Sequence, residues 1–320
     1  MFFLYKFILL AKKPILIYNY YIRRGVSMAV KIITDTSSDF SLEQAKEYGV
    51  ELLSIYISDG KKEYKDLIDI NSKDILEGQE KNIKYTTSQI PVYEYYTSFK
   101  KFLDNGDEFI YIGLSSGLSG SYNNSLMAVK ELKEKYKQNF TTLDSKAASV
   151  GLGLIIRYLA KAAKKGLAYE ELVEFANFLI DNVVHLFTVL NLNELYRGGR
   201  LRKSTANIGN LLSIRPIIHV ADGELKLREV SKGNKMVYRK ISDETIKTMQ
   251  NYGEDELIYL VYGKEKSYID PLFEKYKKES NLKRIDSNPV GCTILIHTGS
   301  EFFGNAFLKK EIPKKFKKYS

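Results

Sequence analysis

"EFIYIGLSSGLSGSYNNSLMAVKEL", residues 108–132, is the stretch on which the fold class turns. Residues 108–112 read as a buried strand, and the segment from Tyr122 to about Tyr136 reads as a helix. Between them stand Ser115, Ser116, Ser119 and Ser121, with Gly113, Gly117 and Gly120. A helix start needs one capping Ser or Thr. The surplus hydroxyls serve backbone geometry or something bound at the corner.

The same alternation extends outward from this corner. Upstream, Val30–Thr34 reads as a strand and Asp35–Asp39 as a polar turn. Ser41 and Gln44 have capping-box spacing before a helix that ends near Gly49, and Val50–Ile57 reads as the next strand. "TTSQIPVYEYYTSFKKFLDNG" (86–106) is a loop and then a helix, with a proline near its start and a glycine at its end. Downstream, "NFTTLDS" (139–145) is a strand and "SVGLGLIIRYLAKAAKKG" (149–166) a helix. Strands alternating with helices predict an α/β fold, its N-terminal sheet mostly parallel and flanked by helices.

The second half is mixed. "HLFTVLN" (185–191) reads as a strand and "ELYRGGRLRKS" (194–204) as a glycine-broken basic loop. "IRPIIHVADGELKLREV" (214–230) is a hairpin about Asp222-Gly223. A helix over 235–251, a strand over 257–262, a helix over 267–279 and a last strand ending in "ILIHTG" (294–299) complete the reading. The expected organisation is an N-terminal α/β domain over 28–165 and a C-terminal mixed α/β domain over 166–304. An extension (1–27) and a basic tail (305–320) flank them.

Composition narrows the function classes. Cys292 is the only cysteine among 320 residues, so no intrachain disulfide forms. With only His185, His219 and His297 besides, no metal site is expected. The formal net charge of +10 sits at the two ends. Residues 1–27 carry Lys6, Lys12, Lys13, Arg23 and Arg24 and no acid, while residues 305–320 carry six lysines against Glu311. The segment between is formally neutral, which argues against nucleic-acid binding, whose basic footprint lies on the folded body. Residues 1–27 have no apolar run near the roughly 18 residues that span a bilayer and no signal-peptide ending. Translation from Met28 is the expectation, with an interfacial membrane segment as the alternative.

Four loops carry chemistry: Asp35–Asp39, Thr86–Gln89, the serine corner, and His297-Thr298-Gly299. Hydroxyls and backbone N–H groups at a helix start accept an anion. Neither G-x-x-x-x-G-K-[ST] nor G-x-G-x-x-G occurs. Each loop also has a plain reading, as caps, turns, solvated arginines or a structural histidine, so no single one decides.

Taken together, "IITDTSSD", "TTSQ", "SSGLSGSY", "LDS", "RGGR", "IRPIIHVADGEL" and "HTG", in this order over residues 28–300, resemble the DegV family. The resemblance implies a two-domain α/β protein that buries a long-chain fatty acid between its domains. It also implies a separate ATP-binding fatty acid kinase subunit, which phosphorylates the presented carboxylate to an acyl phosphate for phospholipid synthesis. On this reading the chain is a lipid-binding subunit and no enzyme on its own, without cofactor or metal. It would be cytoplasmic, with transient contact to a membrane surface. The carboxylate falls to Thr87, Ser88, Ser116, Ser119 and His297, with His297 assisting transfer and Ser119 preferred over Ser116. Arg197 and Arg200 fall to the contact with the kinase subunit. Ile90 after "TSQ" and Ser300-Glu301 after "HTG" depart from the family pattern. The competing expectation is a stand-alone enzyme acting on a small carboxylated or phosphorylated metabolite.

Overall fold

The computed structural model describes residues 30–202 and 214–320. The readings of residues 1–27 and of Met28 lie outside the described residues. The first half runs β1 (Lys31–Asp35), α1 (Leu42–Tyr48), β2 (Val50–Leu53), β3 (Tyr56–Ser58), β4 (Glu63–Lys65), α2 (Ser72–Glu80), β5 (Thr86–Ser88), α3 (Val92–Asp104), β6 (Phe109–Gly113), α4 (Ser121–Lys133), β7 (Phe140–Asp144) and α5 (Ser149–Lys164). The second half runs α6 (Tyr169–Asn182), β8 (Val183–Val189), α7 (Asn193–Arg197), β9 (Ile214–Ala221), β10 (Glu224–Lys232), α8 (Gly233–Met249), β11 (Leu257–Tyr262), α9 (Asp270–Glu279), β12 (Arg284–Pro289), α10 (Cys292–Thr298), β13 (Phe302–Leu308) and α11 (Lys314–Lys317).

Strands β2-β1-β6-β7 form a wholly parallel sheet. Strands β10-β9-β8-β13-β11-β12 form a mixed sheet in which only β11 and β12 pair in parallel. A small antiparallel sheet, β4-β3-β5, sits apart from both. The expected strand over Val50–Ile57 is therefore two strands in two sheets. The chain turns out of the parallel sheet at Ser54, whose hydroxyl donates to the Asp66 carbonyl at 2.9 Å.

α5 joins the two large sheets. It packs on β1 of one sheet and on β8, β11 and β13 of the other, and all its residues except Lys161 and Lys164 are buried. A helix apolar all round is one covered on every side. The α1 cap forms as its sequence dictates, Ser41 Oγ accepting from Gln44 N and Gln44 Oε1 from Ser41 N.

Two further expectations are corrected. "ILIHTG" is no strand: the strand comes earlier, at β12, and the apolar run forms α10, capped at Gly291. An apolar run this short does not by itself distinguish a strand from a buried helix. Residues 305–320, expected as a basic tail, are part of the folded body. β13 lies between β8 and β11, and Phe316 is buried with its ring stacked 4.6 Å from Phe175 of α6. The lysines stay at the surface, Lys317 bonding Glu311 at 2.7 Å and Lys315 pairing with Glu174. A lysine-rich composition hid the apolar alternation beneath it.

Candidate ligand-binding site

Period-two alternation along β8 turns His185, Phe187 and Val189 to one face of the mixed sheet. There Phe187 and Val189 join the core shared with α5. A cavity opens on this face, with about 810 Å³ of space between atoms that includes open solvent. Its walls are mostly apolar, with Phe187, Val261 and Phe302 on the mixed-sheet side and Ile55, Leu114 and Ile294 facing them.

Among its polar groups, Thr87 of β5, Ser119 before α4, His297 near the end of α10 and Arg200 after α7 come from four different segments. Thr87 Oγ1 and His297 Nε2 hydrogen-bond at 2.8 Å. The "RGGR" turn lies against the imidazole. A methyl group at Gly198 would stand 2.4 Å from His297 Nδ1, so this approach requires glycine. Burial, and then the charges of Arg200 and Arg197, hold the His297 pKa down at about 4. The ring is neutral at pH 7.

Arg200 is half-buried. Its Nε donates to the Leu118 carbonyl at 3.1 Å and a terminal nitrogen donates to Gly198 O, which ties the basic turn to the serine corner. Burial pulls its pKa below the ordinary value. Among the described residues no carboxylate pairs with it within salt-bridge distance. A cation withdrawn from water without a counterion favours an anion beside it.

The remaining candidates separate. Ser88 lines the cavity and is exposed. Ser119 Oγ donates to Ser121 Oγ at 3.1 Å and accepts from Ser121 N at 3.2 Å. Ser116 is exposed, does not line the cavity, and commits its hydroxyl and its backbone N–H to Asp144. Arg197 is also outside the lining, exposed and paired with Glu194. Asp35–Asp39 is a buried structural hub. Asp35 accepts from Leu114 N and Tyr111 OH, each at 2.9 Å, locking β1 to the start of the serine corner.

Sequence reasoning missed the place of Arg200 in the wall, and it missed His185 and Ser149, which also line the cavity. For His185 a signal was present, since it stands two residues before Phe187 in an alternating strand. For Arg200 none was, because Arg197 and Arg200 look alike until α7 turns one of them outward.

The family model described as uncharacterised protein, DegV family, matches residues 29–310. The chain belongs to the DegV family. A DegV domain-containing protein of Staphylococcus aureus is 30% identical over 279 residues, 87% of this chain and 98% of the relative. Among solved structures, a fatty-acid-binding DegV family protein from Thermus thermophilus superposes with a TM-score of 0.79 at 22% identity, over 88% of this chain and 100% of that one. A stearic-acid-binding protein from Eubacterium ventriosum gives 0.79 at 24% identity, over 87% and 98%. At these identities the likeness is one of fold, and it spans most of this DegV chain. Among its described residues no group of His, Cys, Asp and Glu is arranged to hold a metal ion. No described helix is long and apolar enough to cross a membrane.

Proposed function

We propose that this chain binds a long-chain fatty acid, with the acyl chain in the cavity and the carboxylate among Thr87, Ser119 and His297. Arg200 supplies the countercharge and Ser88 stands at the entrance. The observation that carries this reading is an apolar cavity whose polar end holds a guanidinium with no carboxylate partner among the described residues. An anionic head on an apolar tail complements both parts. The fatty-acid-binding relatives of the same fold support the same ligand class. Ser116 drops out of the proposed contact set because it does not line the cavity and Asp144 holds its hydroxyl.

The second part of the proposal is presentation. A carboxylate accepts several hydrogen bonds and keeps lone pairs free, so one oxygen held by the hydroxyls, the imidazole and Arg200 leaves the other free as a nucleophile. One carboxylate oxygen attacks the γ-phosphorus of ATP held by a separate kinase subunit. ADP leaves, and an acyl phosphate forms. Negative charge spreads over the transferring phosphoryl oxygens, where His297 and Arg200 stabilise it. Arg197, exposed beside the site, meets the kinase subunit. The test mixes the purified chain, ATP and a cognate kinase subunit. Acyl phosphate is expected only from the mixture, and ATP turnover by this chain alone contradicts the division of labour.

A further inference from the structure

The cavity has a second end, and one side chain closes it. His185 lies four residues before Val189, the last residue of β8, or roughly 13 Å at ~3.3 Å per residue. Beyond Val189 the chain enters α7 and reaches Gly198, which touches His297. The polar cluster thus stands past one end of β8, and His185 stands near the other.

His185 and Val220 line the cavity, and both also line a second void, a groove of about 1,220 Å³ open to solvent. β8 and β9 pair antiparallel with Leu186 opposite His219, so one step further His185 faces Val220 across the strands. The two side chains form the partition between the voids. The groove beyond is lined largely by polar and charged residues, among them Lys146, Arg228 and Glu244, with apolar surface next to the partition from Val184 and Phe307.

The imidazole is fixed in place. A methyl at Gly151 would stand 1.4 Å from His185 Nε2, so the ring lies directly on the α5 backbone. The backbone of Ala148 holds it by a hydrogen bond. Its Nε2 has no partner among the described residues, although the residue is only 6% exposed. A buried nitrogen left without a partner is a net cost, which an apolar residue would avoid. The polar network therefore does not account for Nε2, and what the side chain contributes in the partition is the volume of its ring.

We propose that His185 is the end wall of the acyl cavity: seated on Gly151 and paired with Val220, it stops the methyl end of the ligand and sets the longest acyl chain accepted. This rests on the fatty-acid reading of the cavity. Removing the ring joins the cavity to the groove behind it, and a longer chain then finds room.

The experiment measures affinities of saturated fatty acids from tetradecanoic to docosanoic for the full chain and for His185→Ala and His185→Phe. Affinity in the unaltered chain should rise by about tenfold per two added methylenes and then break sharply. In His185→Ala the break should move to longer acids. His185→Phe, which keeps a ring in the partition, should retain the original break and guards against a loss of folding in the alanine variant. An unmoved break in folded His185→Ala overturns the wall. So does a break that moves equally in His185→Phe, which would assign the limit to the nitrogen. If the unaltered chain binds none of the acids, the fatty-acid reading fails with it, and that is visible without any variant.

Discussion

Thr87 and His297 meet at 2.8 Å before any ligand is considered, so the groups assigned to the carboxylate are preorganised and binding need not order them. Each hydrogen bond to a charged group contributes about 1.5–3 kcal/mol. The Thr87→Ala, Ser119→Ala double variant should therefore lose a few kcal/mol of fatty acid affinity, measured by displacement of a fluorescent acid. The two arginines should part company. Arg200→Ala should lower lipid occupancy after purification, because its guanidinium lines the cavity. Arg197→Ala should keep its lipid and weaken the complex with the kinase subunit in a salt-dependent way. Loss of lipid in Arg197→Ala with none in Arg200→Ala would reverse these roles. His297→Ala should lose some fatty acid affinity with its carboxylate contact and proportionally more turnover with the kinase subunit, since a group that also acts in the transition state shows in kcat. Equal loss of both would make it a ligand contact and nothing more.

At the scale of elements, α10 carries His297 and is held at its start by two buried acids. Asp39 Oδ1 accepts from Gly291 N at 2.8 Å, and Asp66 Oδ2 accepts from Thr293 Oγ1 at 2.7 Å and from its backbone N–H at 3.3 Å. Negative charge at a helix start is favourable, but burial pushes Asp39 up to about 7 and raises Asp66 and Asp35 as well. A carboxyl whose pKa is higher folded than unfolded stabilises most when protonated. Its contribution is full below the ordinary value of 3.8 and is lost as pH rises through about 7. His297 and His185, both held down at about 4, act in the opposite sense and cost stability as pH falls from 6.5 through 4. Asp39→Asn should remove the Asp39 part, so its denaturation midpoint should fall less between acid and neutral pH than that of the unaltered chain. A parallel fall would show that Asp39 is not the titrating group. The helix caps and the alternation around the serine corner were legible because they are local: Ser41 and Gln44 are three residues apart, and Phe109–Gly113 precedes α4 directly. The placement of α10 was not. Its cap comes from Asp39 and Asp66, more than 200 residues away in sequence, and a seven-residue apolar run has no local signal to oppose a strand.

Across the whole molecule, α5 is the common core of two sheets, and the cavity lies beside its first turn, where Ala148, Ser149 and Val150 enter the lining. The residues of the polar end come from positions 87, 119, 200 and 297. The sequence marked all four, yet only the packing of the sheets on α5 sorted them from Ser116 and Arg197. The basic C-terminal run illustrates the converse: its charge was plain, and the buried strand and aromatic anchor within it were not. Fatty acid binding by this cavity is tested most directly by native mass spectrometry of the intact purified chain, followed by denaturation and identification of whatever is released. The expected result is one long-chain fatty acid per chain, with occupancy reduced in the Thr87→Ala, Ser119→Ala double variant. An empty chain that also fails to take up added fatty acid, or a released ligand without a carboxylate and an acyl chain, would contradict it.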